Sequence, residues 1–275
     1  MEESNNILSE AGITACLKTA GVFRVQVCGT VTSTNSLLRE SAGQGAPEGA
    51  VLAAGHQTAG RGRLGRKFHS PEGRGAYFSL LLRPRYKACD VALITPAAAV
   101  AAALAIEDVT GVRVGIKWVN DLFLNGKKVC GILTEAVLGR DSGFVESAIV
   151  GIGINVAQPE TGFPEELGCI ATALTDSNAA AGRLCNRLIA ATLDHFWGFY
   201  QNLTAREFLG EYRGRSTLLG QDIYVLATDR EKCARALAID DDCRLFVRYE
   251  NGETAALGSG EVSVRRVRGA EPGAL

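Results

Sequence analysis

The stretch GHQTAGRGRLGRKFHSPEGRGAYFSLLL, from Gly55 to Leu82, indicates how the first part of this chain folds. It follows directly on the short apolar run AVLAA and ends in the apolar run AYFSLLL, and both runs are typical of buried strands. Between the runs lie closely spaced glycines and one proline, which do not allow a helix to start cleanly. The stretch is therefore predicted to be a loop that joins two strands.

The same loop concentrates positive charge. Five Lys or Arg side chains lie between Gly60 and Arg74 with one acid, Glu72, among them, although the whole chain has 29 basic and 30 acidic residues. Like charges repel one another, and glycines lose much backbone entropy on ordering, so ordering becomes favourable when a polyanion neutralises the segment. We predict a lid that closes on phosphate, or on phosphate plus carboxylate, with an ordinary solvated loop as the alternative.

Two phosphate-binding motifs match the glycine spacing but not the chemistry. Gly60, Gly62 and Gly65 satisfy G-x-G-x-x-G, but the dinucleotide fingerprint needs a helix to begin at once, and RKFHSPEGRG follows instead. The Walker A spacing also fits, yet Arg66 and Lys67 occupy the positions of Lys and Ser/Thr. The hydroxyl that would hold Mg²⁺ is missing, so this interpretation fails too.

Composition narrows the class of protein. With 275 residues, of which 47% are hydrophobic, the chain can form one large domain or two, and its net charge of −1 does not favour nucleic-acid or membrane-surface binding. The N-terminus has no signal-peptide pattern, and the longest apolar run is shorter than the ~20 residues that span a bilayer. We expect a cytoplasmic protein whose eight cysteines are reduced thiols, and the three histidines show no metal-ligand spacing.

Periodicity predicts a chain organised in two parts. Strands are predicted at 23–31, 112–118 and 147–156, and Asn125-Gly126 predicts a type I′ hairpin within 123–136. Helices are predicted from a Thr32 or Ser33 cap to about Ser41, from Asp90 to about Val109, and near Asn178–Tyr200. From about Ser216 short alternating runs predict a small closed barrel, which places a domain boundary near Arg215, between residues 1–215 and 216–275.

A second polar cluster lies in IKWVNDLFLNGKKVCGILTEA, residues 116–136. Lys117 ends a predicted strand, Asn120 and Asp121 fall in the turn, and Lys128 begins the return strand. The hairpin brings both lysines to one end of the sheet with a carboxylate between them. Simple turn chemistry and solvated lysines are the alternative. The glycines of GIGIN, residues 151–155, permit either close ligand approach or tight strand packing.

Together these motifs resemble those of biotin–protein ligases. The matching strings, in order and spacing, are STN (33–35), GRGRLGR (60–66), KWVND (117–121), KKVCGIL (127–133), GIGINV (151–156) and GEVSVR (260–265). The resemblance implies an α+β fold with a mixed central sheet and flanking helices, similar to class II synthetases, followed by an SH3-like barrel. It also implies that biotin and ATP form biotinyl-5′-AMP, from which biotin passes to a lysine of a biotin carboxyl carrier protein.

The resemblance assigns a role to each matching residue. Implied for biotin binding are Ser33, Thr34, Asn35, Gln57, Gly60, Arg61, Gly62, Arg63, Lys128, Gly131 and Gly153. Implied for ATP are Arg63, Arg66, Lys117, Asn120, Asp121, Lys128, Asn155 and Arg265. Lys128, Arg63, Arg61 and Asp121 would be catalytic, and Asp121 is the candidate carboxylate for Mg²⁺. Cations suit these positions because the biotin carboxylate must approach the α-phosphate of ATP. Both groups are anionic, and cations reduce the repulsion between them.

Two departures and several alternatives qualify this interpretation. Val119 replaces the usual proline of K-W-P-N-D, which is predicted to loosen the turn, and Cys130 takes a position that is usually Gly or Ala. The short segment before Phe23 suggests the ligase-only form, without a DNA-binding domain.

A lipoate–protein ligase, a biotin-sensing transcription regulator and a binding module with a mobile basic loop are the alternatives. The oligomeric state is expected to be a monomer or a weak homodimer.

Overall fold

The structure is a computed structural model that describes residues 8–19, 21–139, 145–177, 181–227, 230–258 and 263–266. Within these residues the first part of the chain is a seven-stranded mixed sheet, ordered β1-β2-β3-β7-β6-β5-β4. Its strands are β1 (Arg24–Val31), β2 (Ala50–Gln57), β3 (Gly75–Leu82), β4 (Gly115–Lys117), β5 (Asp121–Leu124), β6 (Lys127–Leu138) and β7 (Val145–Asn155). β1 and β2 are parallel, and the other neighbours are antiparallel.

Within the stretch from Gly55 to Leu82, the predicted loop is formed by residues 58–74. It joins the antiparallel strands β2 and β3. Every residue of β3 is buried, and the strand lies in the interior of the sheet between β2 and β7. A central strand is covered on both faces, which is why AYFSLLL reads as a continuous apolar run and not as an alternating one.

Helices cover the sheet. They are α1 (Glu10–Cys16), α2 (Thr34–Gly43), α3 (Ala88–Val91), α4 (Ile94–Thr110), α5 (Glu165–Gly168), α6 (Ala181–Gln201) and α7 (Leu209–Gly214). The long helix predicted from Asp90 to about Val109 is present as α4, but it begins only at Ile94, because the chain breaks between α3 and α4. Pro96 lies in the first turn of α4, where its missing N–H is harmless, whereas a helix continuing from Asp90 would place the ring inside it.

The hairpin between β5 and β6 has the predicted turn. Asn125 and Gly126 both have positive φ, at 50° and 78°, as a type I′ turn requires. The strand predicted at 112–118 is shorter than expected, since β4 contains three residues, and Asp121 begins β5 and does not lie in the preceding turn.

The C-terminal part is a small antiparallel sheet. Its described strands are β8 (Asp222–Ala227), β9 (Arg230–Ile239), β10 (Leu245–Tyr249), β11 (Thr254–Leu257) and β12 (Ser263–Arg266), in the order β11-β10-β9-β8-β12. The predicted α+β architecture with a small β domain is therefore confirmed. None of the helices in the described part of the chain has the length and hydropathy needed to cross a bilayer.

The two parts share one core. Buried residues of the small sheet, such as Ile223 and Leu245, belong to the same apolar cluster as α4 and α6. At the join, Ile116 N–H donates to the Arg215 carbonyl at 2.7 Å. The buried Arg215 guanidinium pairs with Glu107 and Glu211, which anchors the segment. The main chain at Arg215 is thus hydrogen-bonded to β4 of the first sheet. The domain boundary near Arg215 stays a prediction.

Candidate active site

The polar residues singled out from the sequence surround two adjoining cavities. The smaller cavity has a volume of about 50 Å³ and the larger about 540 Å³. Both are lined by Gly62, Arg63, Phe68, Asn120 and Lys128, so these residues form the boundary between the cavities. The glycine-rich loop and the β4–β5 turn, 50 to 60 residues apart in the sequence, therefore meet at this boundary.

The N-terminus of α2 forms one wall of the smaller cavity. Thr34 N–H donates to Gln57 Oε1 at 3.0 Å, so Gln57 satisfies one of the free donors at the start of the helix. The prediction that a Ser33 hydroxyl caps this helix is wrong, although Ser33 occupies the N-cap position. Ser33 is buried, its side chain makes no capping hydrogen bond, and the residue lines the cavity.

Asn35 is held by a network of hydrogen bonds at the same wall. Its amide nitrogen donates to the Leu133 carbonyl at 3.3 Å and to Glu135 at 3.0 Å, and its oxygen accepts from the Ser79 hydroxyl at 2.6 Å. Glu135 also pairs with Arg61 at 3.1 Å. Both ends of the Asn35 amide are therefore oriented by the protein before any ligand is bound.

Sequence reasoning missed Glu135 and Ser79. Glu135 lies on β6 four residues beyond Gly131, and the period of two in a strand places both on the same face. That period could have indicated Glu135 once Gly131 was assigned to the site. Ser79 lies in an apolar strand with no motif around it, and no sequence pattern marks it.

Three glycines leave room for the side chains of the smaller cavity. A Cβ at Gly151 would lie 2.0 Å from Asn35 Oδ1, and one at Gly153 would lie 2.6 Å from the Phe68 ring. At Gly131 a Cβ would lie 2.9 Å from Lys128 Nζ. The glycines of GIGIN are therefore needed for the close approach of cavity residues, which answers the question that the sequence left open.

Lys128 stands between the two cavities. Its Nζ donates to Asp121 Oδ1 at 2.6 Å and lies 5.8 Å from the centre of the Phe68 ring. Arg63 donates to Asn120 Oδ1 at 3.1 Å, and the Asn120 amide nitrogen donates to the Ile132 carbonyl at 2.7 Å. The hairpin thus brings the predicted lysine and carboxylate into direct contact, with the lid arginine beside them.

The larger cavity is lined by both cationic and apolar side chains. The cations that line it are Arg63, Arg66, Lys67, Lys117 and Lys128, and its apolar lining includes Trp118, Phe123, Phe163 and Ile170. Asp121 is the only carboxylate among its described lining residues. Burial lowers the pKa of Arg63, while the charge of Asp121 raises it, and an arginine side chain stays protonated in proteins. The cavity suits a polyanion attached to a flat apolar group.

Three further residues predicted for the site are Asn155, Gly60 and Arg265. Asn155 lines the larger cavity, and its amide donates to the Thr172 carbonyl at 3.0 Å. Gly60 packs against the cavity wall, where a Cβ would lie 2.4 Å from the Phe68 carbonyl oxygen. The side chain of Arg265 lies outside the described residues, although its neighbour Val264 lines the larger cavity.

The glycine-rich loop is folded back on itself. Phe68 N–H donates to the Gly60 carbonyl at 2.9 Å, and Gly62 N–H donates to the Arg66 carbonyl at 2.8 Å. Arg63–Gly65 forms a single 3₁₀ turn. The sequence argument that the loop cannot order itself therefore underestimated its backbone hydrogen bonds, and ligand-dependent ordering stays a prediction.

The β4–β5 turn is held more firmly than predicted. Val119 is buried, and its carbonyl accepts a hydrogen bond from the Tyr212 hydroxyl at 2.9 Å. Replacing proline by valine was expected to loosen this turn, but the contact with α7 holds it in place.

Comparison with known proteins gives a consistent result. The family model described as "Biotin/lipoate A/B protein ligase family" matches residues 27–155, and the one described as "Biotin protein ligase C terminal domain" matches residues 218–265. The chain is 32% identical over 256 residues to a "Biotin--[acetyl-CoA-carboxylase] ligase" of Mycobacterium tuberculosis, covering 88% of this chain and 90% of that protein.

Two further comparisons extend this result. A "Bifunctional ligase/repressor BirA" of Bacillus subtilis is 43% identical over 189 residues, which cover 68% of this chain and 56% of that protein's length. A solved structure of an Aquifex aeolicus "Biotin protein ligase", in complex with biotin and ATP, superposes with a TM-score of 0.72 at 29% identity. The superposed region covers 89% of this chain and 99% of the Aquifex aeolicus chain.

Proposed function

The chain belongs to the biotin/lipoate A/B protein ligase family, and from this premise we infer that it activates biotin with ATP and transfers it to a protein lysine. It is an ATP-dependent biotin–protein ligase. The observation that carries the assignment is the boundary between the two cavities, where Lys128, Arg63 and Asn120 lie within reach of both. A carboxylate in one cavity and a phosphate in the other would meet at these residues.

The smaller cavity is the proposed biotin site. Ser33 lines it, and Thr34, Asn35 and Gln57 are held in a fixed orientation to bond the polar ureido group. Ligand sites usually have volumes of ~300 Å³ or more, so a cavity of about 50 Å³ must widen to admit biotin. Phe68, which lies against Gly153, is the side chain that has to move.

The larger cavity is the proposed ATP site. Its cationic side chains would hold the phosphates, and its apolar side chains would pack against the adenine. In the first step a biotin carboxylate oxygen attacks the α-phosphorus, and the bond from that phosphorus to the bridging oxygen of the β-phosphate breaks. Pyrophosphate leaves with the electron pair. Lys128 and the lid arginines neutralise charge that concentrates during this attack.

The second step transfers the biotinyl group. An unprotonated amine of the acceptor lysine attacks the acyl carbon of biotinyl-5′-AMP, and AMP leaves with the electrons of the broken C–O bond. The nitrogen loses one proton to solvent, which gives the neutral amide. We propose a biotin carboxyl carrier protein as the acceptor and the cytoplasm as the location. The lid keeps water from the hydrolysable adenylate until the acceptor arrives.

Magnesium fits the site only together with ATP. The described residues contain no cluster of three or more metal-ligating side chains. Asp121 supplies one carboxylate, and Mg²⁺ is usually held by one or two carboxylates plus substrate phosphates. Mg²⁺ bound there would neutralise phosphate charge, with Asp121 and Asn120 as the residues that could hold it.

Pyrophosphate release tests the proposed function. We expect release with biotin and ATP, and continued turnover when a carrier domain with an acceptor lysine is added. Lipoate in place of biotin should give little release, because the match of residues 218–265 to a biotin-ligase domain favours biotin. No release with biotin, or equal release with lipoate, would contradict the assignment.

Biotin and ATP together should slow amide hydrogen exchange in Gly60–Arg74. The loop carries five cations, and paired anionic ligands would remove the repulsion that favours its opening. The measurement is exchange by mass spectrometry with and without ligands, with β3 as the internal reference. Equal exchange of the loop in both states would contradict its role as a lid.

Arg63→Ala should release the adenylate into solution. Arg63 bonds Asn120 across the boundary of the cavities, so its loss should weaken closure of the lid more than the chemical step. We expect slower adenylate formation and a several-fold larger fraction of free biotinyl-5′-AMP than in the wild type. The two quantities are measured separately at saturating ATP. A retained adenylate would mean that other residues hold the lid shut.

A further inference from the structure

The turn between β4 and β5 is bonded from two sides by residues that lie far along the chain. At its first residue, Trp118 is 5% exposed, and its indole N–H donates to the backbone carbonyl of Cys243 at 2.8 Å. Cys243 lies between β9 and β10 of the C-terminal sheet. From the other side, the fully buried Tyr212 of α7 donates its hydroxyl to the Val119 carbonyl at 2.9 Å. Both hydrogen bonds are buried.

The two elements that make these contacts are also joined to each other. Arg213 of α7 donates from Nε to the Ile239 carbonyl at 2.8 Å and pairs with Asp241 at 2.7 Å. Arg206, which precedes α7, pairs with Asp242 at 2.9 Å. The β9–β10 connection and α7 therefore form one support beneath the turn.

This support lies directly behind the proposed ATP site. Lys117, Asn120 and Asp121 flank the two supported residues, and all three line the larger cavity. A three-residue turn has few degrees of freedom, so a displacement of Trp118 would move the ammonium, the amide and the carboxylate together. Of the three, only Asn120 also lines the smaller cavity, and the biotin-site residues Ser33 and Gln57 lie on other elements.

We propose that Trp118 is a positioning residue of the nucleotide site, through which the C-terminal sheet holds Lys117, Asn120 and Asp121 in register with ATP. This inference rests on the proposed function. By this inference the C-terminal sheet contributes to ATP use through Trp118. No side chain of that sheet has to reach the nucleotide. The indole N–H does the positioning through its bond to Cys243, while Trp118 itself also lines the larger cavity.

Trp118→Phe tests the role of the N–H, because it removes the donor and keeps an aromatic ring. We expect the KM for ATP to rise about tenfold, the kcat to change less, and the dissociation constant for biotin to stay within twofold of the wild-type value. Trp197→Phe is the matched control. It changes the chain's other tryptophan, which belongs to α6 and lines neither cavity, and should leave all three quantities unchanged.

Tyr212→Phe provides a second measurement that leaves the cavity lining intact. It removes the hydroxyl that bonds Val119, and we expect the same rise in the KM for ATP with biotin binding preserved. A purely structural role would lower the melting temperature or the active fraction but leave the KM of the active enzyme unchanged. Unchanged KM values in both variants would therefore overturn the proposal. If Trp118→Phe does not fold, Tyr212→Phe decides by itself.

Failure of this inference is distinguishable from failure of the proposed function. If the wild-type protein forms no biotinyl-5′-AMP, the function is wrong, whatever the variants do. Direct binding of ATP to wild type and variants then still measures whether Trp118 positions the nucleotide site. Substitution is preferable to truncation, because the small sheet shares its core with the rest of the chain.

Discussion

Lys128→Ala should lower the rate of biotinyl-5′-AMP formation by a factor on the order of 10²–10³, the usual effect of removing a preorganised group that stabilises transition-state charge. Lys128 Nζ lies at the boundary of the two cavities, where the carboxylate and the α-phosphate would meet. Adenylate formation is measured in a single turnover at saturating biotin and ATP, so that weaker binding does not obscure the rate.

The stability of the protein should change little in this variant. Lys128 pairs with Asp121 at 2.6 Å, but the two side chains are 32% and 24% exposed. Partly exposed pairs contribute at most about 1 kcal/mol to the free energy of unfolding. A large fall in melting temperature would mean that the lysine is needed mainly for folding.

Lys127→Ala is the matched control for Lys128→Ala. Lys127 is the neighbouring residue on the same strand, and its Nζ donates to the Gly168 carbonyl at 2.8 Å in an exposed position. Its loss should leave the rate within about twofold of the wild type. If both variants lose activity equally, net charge near the cavity matters more than the position of Lys128.

Gly151→Ala should weaken biotin binding on the order of 100-fold. The added Cβ would lie 2.0 Å from Asn35 Oδ1, so the Asn35 amide would have to shift and lose its bonds to Ser79 and Glu135. Breaking a buried hydrogen-bond network and overpacking each cost ~1–3 kcal/mol, and about 3 kcal/mol in total corresponds to ~100-fold in affinity. The measurement is biotin titration by calorimetry.

Gly29→Ala controls for replacing a glycine in a strand of the same sheet. A Cβ at Gly29 would meet no atom within 4 Å, so neither biotin affinity nor the fold should change. Biotin binding of Gly151→Ala equal to that of the wild type would show that the orientation of Asn35 does not matter for the ligand.

Local patterns predicted the elements of this fold well where neighbouring residues decide the conformation. The continuous apolar run of β3, the Asn125-Gly126 turn and the short strands after Ser216 all follow from periodicity and turn chemistry. The break before α4 was missed, because the alanine-rich composition concealed the effect of Pro96 in the first turn.

The candidate site was predictable as a set of residues but not as an arrangement. The motifs around Arg63, Asn120 and Lys128 could be recognised because their chemistry requires particular residue types at fixed spacing. Sequence could not show that Arg63 bonds Asn120, or that Glu135 bonds both Asn35 and Arg61, since these contacts join elements 57 to 100 residues apart. Pairing across such distances depends on strand order, which local propensity does not specify.

The sequence by itself determined the class of chemistry: a cationic, glycine-rich loop and a lysine–carboxylate hairpin that suit anionic substrates. Only the tertiary structure decided what the GIGIN glycines do, because their neighbours Asn35 and Phe68 come from other elements. It alone also showed that the C-terminal sheet supports the β4–β5 turn through Trp118. The physical reason is that charge and backbone freedom are properties of the residue, whereas close approach and support are properties of the packing around it.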